Sequence, residues 1–161
     1  TLSLFQKGDL DAALVPEPWG SRLIASVGAR VVLDSARIYG GVTPSTVIVA
    51  SASFLKAHPD VVVLFLRAHD ELTRRLTPGG GSAAVAAALN AQIKVLTGKP
   101  LPPGVLASAL SRTSFTTSIS QGSLAQFAGF SVTAGYLRRN ASIRGLIDPW
   151  PLAHLHDSSI K

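Results

Sequence analysis

The sequence predicts an α/β layered fold, and three observations carry that prediction. Residues 12–15 form a short, partly β-branched apolar run that stops on Pro16-Glu17-Pro18-Trp19, the pattern of a buried strand ending at a corner. A second strand pattern, residues 29–34, follows after one helical segment. A third, residues 45–50, opens on Ser45 and Thr46 and is then apolar throughout, which suits a strand covered on both faces. One strand–helix–strand unit followed by a further strand argues for layered α/β architecture, and from residue 52 onward the pattern is mostly helical.

Each element has its own local reason. Residues 1–5 read as the end of an amphipathic helix that Gly8 stops. Pro16 and Pro18 fix their own φ and bias the residue before each away from helix. Glu17 is thereby held at the carboxyl end of a strand, where Pro18 can open a helix. Ligands sit at that edge of open α/β sheets, so a carboxylate and an indole there mark a binding surface. The equal alternative is that Glu17 caps the next helix and Trp19 packs beneath it. Residues 19–27 read as that helix, ended by Gly28, and residues 35–44, with Gly40, Gly41 and Pro44, as a loop.

Residues 52–57 predict a short helix closed by His58 and Pro59. The helix predicted over 60–76 places Val61, Leu64, Phe65, Ala68, Leu72 and Leu76 on one apolar face. Its other side offers Asp70 to Arg74 and Glu71 to Arg75 as i,i+4 pairs. Thr77-Pro78-Gly79-Gly80-Gly81 ends it as a hinge turn; a phosphate loop would need a strand before it and Gly-Lys-Ser/Thr after it. Further helices are predicted over 83–96, stopped by Gly98, over 105–111 after the stiff link Lys99-Pro100-Leu101-Pro102-Pro103, and over 123–136. Residues 114–116 read as a short extended piece.

Composition excludes several classes. With 161 residues, 47% of them apolar and 15% charged, the chain can bury a core and is not disordered. No apolar run reaches the roughly 18 residues that span a membrane. The absence of cysteine removes a disulfide framework and a thiolate metal site, and no cofactor or metal is expected. The net charge of +6 is uneven, since no Asp or Glu lies between Leu72 and Ile147 while Arg74, Arg75, Lys94, Lys99, Arg112, Arg138, Arg139 and Arg144 do. These cations are dispersed and lack interleaved aromatics, so a solvated basic face is expected rather than a nucleic-acid partner. His58, His69, His154 and His156 have no Ser/Asp partner by spacing, and the chain is read as a non-enzyme.

The order of these pieces resembles a known family. Gly8-Asp9-Leu10-Asp11-Ala12-Ala13 runs into Pro16-Glu17-Pro18-Trp19, then comes Ser45-Thr46-Val47-Ile48-Val49. Phe54-Leu55-Lys56-Ala57-His58-Pro59-Asp60-Val61-Val62 and Leu96-Thr97-Gly98-Lys99-Pro100-Leu101-Pro102 follow. Together they resemble the C-terminal half of periplasmic substrate-binding proteins of ABC importers in the aliphatic-sulfonate, nitrate and taurine (NMT1-like) group. The resemblance implies a partial type II periplasmic-binding-protein fold whose N-terminal half is missing. Residues 1–44 then correspond to the end of the second lobe and 45–161 to the return to the first lobe. It implies a small solute clamped between lobes, permease subunits as membrane partners, and an extracytoplasmic location with any signal or lipid anchor in the missing half.

On the same resemblance Pro16, Glu17, Pro18, Trp19, Ser45 and Thr46 are the ligand-binding residues. Glu17 would accept from a ligand amine, Trp19 would cover its apolar part, and the two hydroxyls would donate to an anionic head. Arg22 would neutralise Glu17, unless Glu17 turns to its own helix N-terminus. Thiamine-pyrimidine synthases share the fold but carry a cysteine-rich motif that this chain lacks. The alternative function is the effector-sensing domain of a LysR-type transcription regulator, whose fold is similar. A chain of this kind is also expected to expose apolar surface, to be marginally stable and to associate.

Overall fold

A computed structural model describes residues 1–41, 43–77, 81–139 and 142–160 of the chain. Short polar side chains start its helices. Asp34, Ser51, Ser82 and Ser120 each accept a hydrogen bond from the backbone N–H three residues on, and so begin α3 (Ser35–Tyr39), α4 (Ala52–Ala57), α6 (Ala83–Thr97) and α8 (Gln121–Thr133). Glycines in the left-handed region end α1 (Leu2–Lys7) at Gly8 and α2 (Trp19–Val27) at Gly28. The long helix α5 spans Pro59–Leu76, α7 spans Pro103–Ser111 and α9 spans Trp150–Ala153.

The chain divides into two compact units. The first comprises Thr1–Gly40 and Thr73–Phe115, and its core is the packing of α2 on α7, with α1 against α2 and α6 against α7. Leu23 of α2 and Val105, Leu106, Ala109 and Leu110 of α7 are buried there. Truncating a leucine in such a seam costs about 2–5 kcal/mol. Ser21, also buried, donates its hydroxyl to Ser108 Oγ at 3.0 Å, so the one polar pair in the seam is satisfied.

Two further contacts set loops in this unit. The Asn90 amide donates to Leu101 O and accepts from Leu101 N, both at 2.8 Å, and so ties the proline-rich link to α6. Gly81 has φ +78°, and a Cβ there would lie 2.5 Å from Arg75 O. Only glycine satisfies both demands.

The second unit comprises Gly41–Leu72 and Thr116–Lys161. Its buried side chains are few among the described residues: Val63, Pro151 and Leu155. Arg67 organises the end of the chain, where its guanidinium donates to the carbonyls of Leu155, Asp157 and Ile160. Ile143, Gly145, Ile147 and Pro149 line a cavity of about 280 Å³ together with Ile119, Gln121 and Leu124 at the start of α8.

The helices match expectation closely, with three differences. No strand forms among the described residues. Residues 12–15, 29–34 and 45–50 have strand composition, but a strand exists only by exchanging backbone hydrogen bonds with a neighbour. None of the three pairs with another, and Leu14, Val32 and Val49 are 79%, 85% and 80% exposed. The layered α/β arrangement is therefore replaced by helices joined by irregular segments. Residues 35–39, expected as loop, form α3 because Asp34 supplies a cap, accepting from Arg37 N at 2.8 Å. The short helix α9 was not anticipated either.

The third difference concerns which face is covered. Helix α5 buries Val63 and Thr73, while Val61, Leu64, Phe65 and Leu72 of the expected core stripe are exposed. Periodicity identified a stripe but not what covers it. The hinge reading at Pro78, Gly79 and Gly80 lies outside the described residues; Thr77, at its start, donates through Oγ1 to Thr73 O and Phe115 O.

Candidate functional site

The Pro16–Trp19 corner is built by its own backbone and by a helix start. Trp19 N donates to Pro16 O and Arg22 N to Pro18 O, both at 3.0 Å, and the Glu17–Pro18 peptide is cis. Pro18 is the N-cap of α2, so the helix opens at Trp19, as the reading of 19–27 has it. The Glu17 carboxylate folds back over the first turn, and Oε2 accepts from Ser21 N at 3.1 Å. A negative charge here satisfies a free N–H and faces the positive end of the helix.

Gly20 makes room for this fold-back, since a Cβ there would stand 3.2 Å from Glu17 Oε1. The second oxygen faces Arg112, whose Nε lies 4.0 Å away just beyond the end of α7. Arg112, and not Arg22, is therefore the cation beside Glu17. Arg22 instead sets its guanidinium 5.0 Å from the centre of the Trp19 ring, a cation–π arrangement. Glu17 thus has two intramolecular partners, and Trp19, 46% exposed, presents the open face of the corner.

Pro16, Glu17, Pro18 and Trp19 are brought together in the first unit. Ser45 and Thr46 belong to the second unit, where both are exposed and outside any helix. What the corner can do is stack: an indole backed by a guanidinium accepts a flat or apolar group and favours negative charge at its rim. Arg112 escaped sequence reading because its relation to Glu17 is made only by the packing of α2 on α7. No local signal marks it.

Three of the four histidines sit in ring pairs. His58 lies 5.1 Å from Phe54, His69 stacks on Phe65 at 6.2 Å and His154 stacks on Trp150 at 4.2 Å, each four residues apart in sequence. His154 Nδ1 is also 2.8 Å from Trp150 O. No group of three metal-ligating side chains occurs among the described residues, and no described helix is long and apolar enough to cross a membrane. Asp157 titrates below its ordinary value because Ser159 donates to it from both side chain and backbone, with smaller help from His154 and Arg67.

Comparison with known proteins adds one finding. The model of the NMT1-like family matches residues 1–91, which is more than half of the 161-residue chain and includes the corner, Ser45 and Thr46. No curated protein and no solved structure matches it. The chain belongs to the NMT1-like family.

Proposed function

We propose that this chain is a solute-binding component of an ABC importer that captures a small solute outside the cytoplasm and delivers it to a membrane permease. The family match over residues 1–91 carries this reading, because the NMT1-like family is associated with solute-binding proteins of ABC transporters. The resemblance in motif order points to sulfonates, nitrate, taurine or related organic solutes. On this reading residues 1–44 represent the end of one lobe and 45–161 the return to the other, as in the C-terminal half of such a protein. Exposed apolar segments at 12–15, 31–33 and 47–49 support it, since strand-like runs without ladder partners are what half of a sheet protein leaves behind.

The solute contacts we assign are Pro16, Glu17, Pro18 and Trp19 in one set and Ser45 and Thr46 in another. Trp19 covers the apolar part of the solute, and the hydroxyls of Ser45 and Thr46 donate to an anionic head. Glu17, already held by Ser21 and Arg112, shapes the corner and turns its remaining acceptor capacity to the solute.

A thermal-shift screen tests the reading against alkanesulfonates, taurine, nitrate, bicarbonate and thiamine precursors. A saturable rise in Tm with one class, reduced in Trp19→Ala and Thr46→Ala, is the expected result. No rise with any of them overturns it.

A further inference from the structure

Among the described residues only two arginines are half-buried, Arg22 and Arg67, and the others are exposed. Arg67 spends its donors on the carbonyls of Leu155, Asp157 and Ile160. Arg22 has no such outlet. Its guanidinium stands 5.0 Å from the centre of the Trp19 ring, and no carboxylate or carbonyl accepts from it among the described residues. Contact with a ring face holds a cation in place without supplying a counter-charge. The two residues are three apart on α2, and buried Ser21 and Leu23 fix that turn against α7.

The charges at the corner do not cancel. Glu17 is offset by Arg112 at 4.0 Å, and its Oε2 also accepts from Ser21 N at the positive end of α2. Arg22 is then the charge in excess. Partial burial removes some of the water that would screen it, so an anion gains more there than at an exposed arginine. An ammonium group meets the reverse, because the carboxylate that would attract it is engaged and Arg22 repels it. Beside the guanidinium lies an indole that is 46% exposed, a surface that gains when a flat apolar body covers it.

We propose that Arg22 is the specificity-determining residue of the corner, receiving the negative group of a flat organic anion whose ring lies on Trp19. This rests on the solute-binding reading above and narrows it to aromatic anions without an ammonium group. Nitrate offers the charge but no ring to cover Trp19, and taurine ties its anion to an ammonium. The hydroxyls of Ser45 and Thr46 donate hydrogen bonds but carry no charge, so they separate an anion from its neutral isostere only weakly. A guanidinium separates them strongly, because it adds a full charge to several N–H donors in one plane.

The test compares benzenesulfonate with benzenesulfonamide, nitrate and taurine by isothermal titration calorimetry on the whole chain. Benzenesulfonate should bind about tenfold more tightly than each of the others. Arg22→Gln should cost benzenesulfonate about tenfold and leave benzenesulfonamide unchanged, while Arg22→Lys should lose less than Arg22→Gln. Trp19→Ala should weaken both aromatic ligands. Circular dichroism and a ligand-free Tm matched to the parent confirm that Arg22→Gln folds. The parent's own preference for benzenesulfonate over the sulfonamide tests the charge without any substitution. Equal affinity of the parent for the two aromatics overturns the assignment, as does an Arg22→Gln variant that keeps the preference. A solute of another class that needs Thr46 but is indifferent to Arg22→Gln overturns the role of Arg22 and leaves the importer reading intact. Binding of no solute of any class overturns both.

Discussion

Glu17 and Arg112 meet at 4.0 Å, one at the entrance to α2 and the other at the exit of α7. The same carboxylate accepts from Ser21 N, so one side chain joins a proline corner, a helix start and a helix end. The two interactions differ in weight. The hydrogen bond satisfies a backbone donor of the first turn, whereas the ion pair is long and its arginine is 42% exposed.

Glu17→Ala is therefore expected to lower stability by about 1 kcal/mol, mostly through the lost cap. Arg112→Ala should cost no more than about 0.5 kcal/mol, as exposed pairs do. Glu17→Gln keeps an acceptor for Ser21 N and should resemble Arg112→Ala in urea unfolding. If it instead matches Glu17→Ala, the charge rather than the hydrogen bond holds the corner.

Asn90 makes a two-way bond with the backbone of Leu101. Asn90→Ala leaves a backbone N–H and C=O without their partner and should cost about 1–3 kcal/mol. Asn90→Asp retains the acceptor for Leu101 N but faces Leu101 O with an oxygen, so it should be at least as damaging. Chemical denaturation of the two variants ranks them.

Arg67 donates to three carbonyls near the end of the chain. Arg67→Lys offers a point charge in place of a planar fork and cannot reproduce that geometry. Amides of residues 155–160 should exchange faster with solvent in Arg67→Lys, and faster still in Arg67→Ala, while those of α2 and α7 stay unchanged. Uniform acceleration across the chain would mean that the arginine supports the whole fold instead.

Asp157 titrates below its ordinary value of 3.8, chiefly through Ser159. A lowered carboxylate stabilises the folded tail at pH above that ordinary value, and the contribution fades as pH falls through the lowered one. Order in residues 157–159 should thus be lost only below about pH 4. Ser159→Ala should return the Asp157 carboxyl toward 3.8, read by carbon NMR titration.

Exposed Val47, Ile48 and Val49 in an uncharged run predict association. Sedimentation velocity should show species larger than a monomer, and Ile48→Lys should reduce them. A monomer with a sharp melt at high temperature would contradict the expectation of marginal stability.

How much of this was legible depended on whether the cause was local. Gly28 and Gly98 marked helix ends because a left-handed stop is a property of one residue, and α2, α4 and α6 fall within a residue of their expected bounds. Helix α3 was missed because Gly40, Gly41 and Pro44 drew attention to a loop, although Asp34 was a cap in plain view. The strand readings failed differently. Residues 45–50 have the right side chains, but pairing is a relation between segments, and no composition supplies the second one. The exposed stripe of α5 repeats the lesson, since Phe65 and Leu72 are apolar at helical spacing yet face water. At the site, the corner was visible and its charge partner was not.

The bond between buried Ser21 and half-buried Ser108 has a consequence for the corner itself. Apolar helix faces can slide past each other at modest cost, because one leucine contact replaces another. A matched pair of hydroxyls cannot, since a shift by one helical turn, about 5.4 Å, would leave the buried Ser21 hydroxyl without its partner. The pair acts as a register pin between α2 and α7. Arg112 hangs from one of those helices and Glu17 from the other, so the setting of the candidate site is indexed by two of the smallest side chains in the protein.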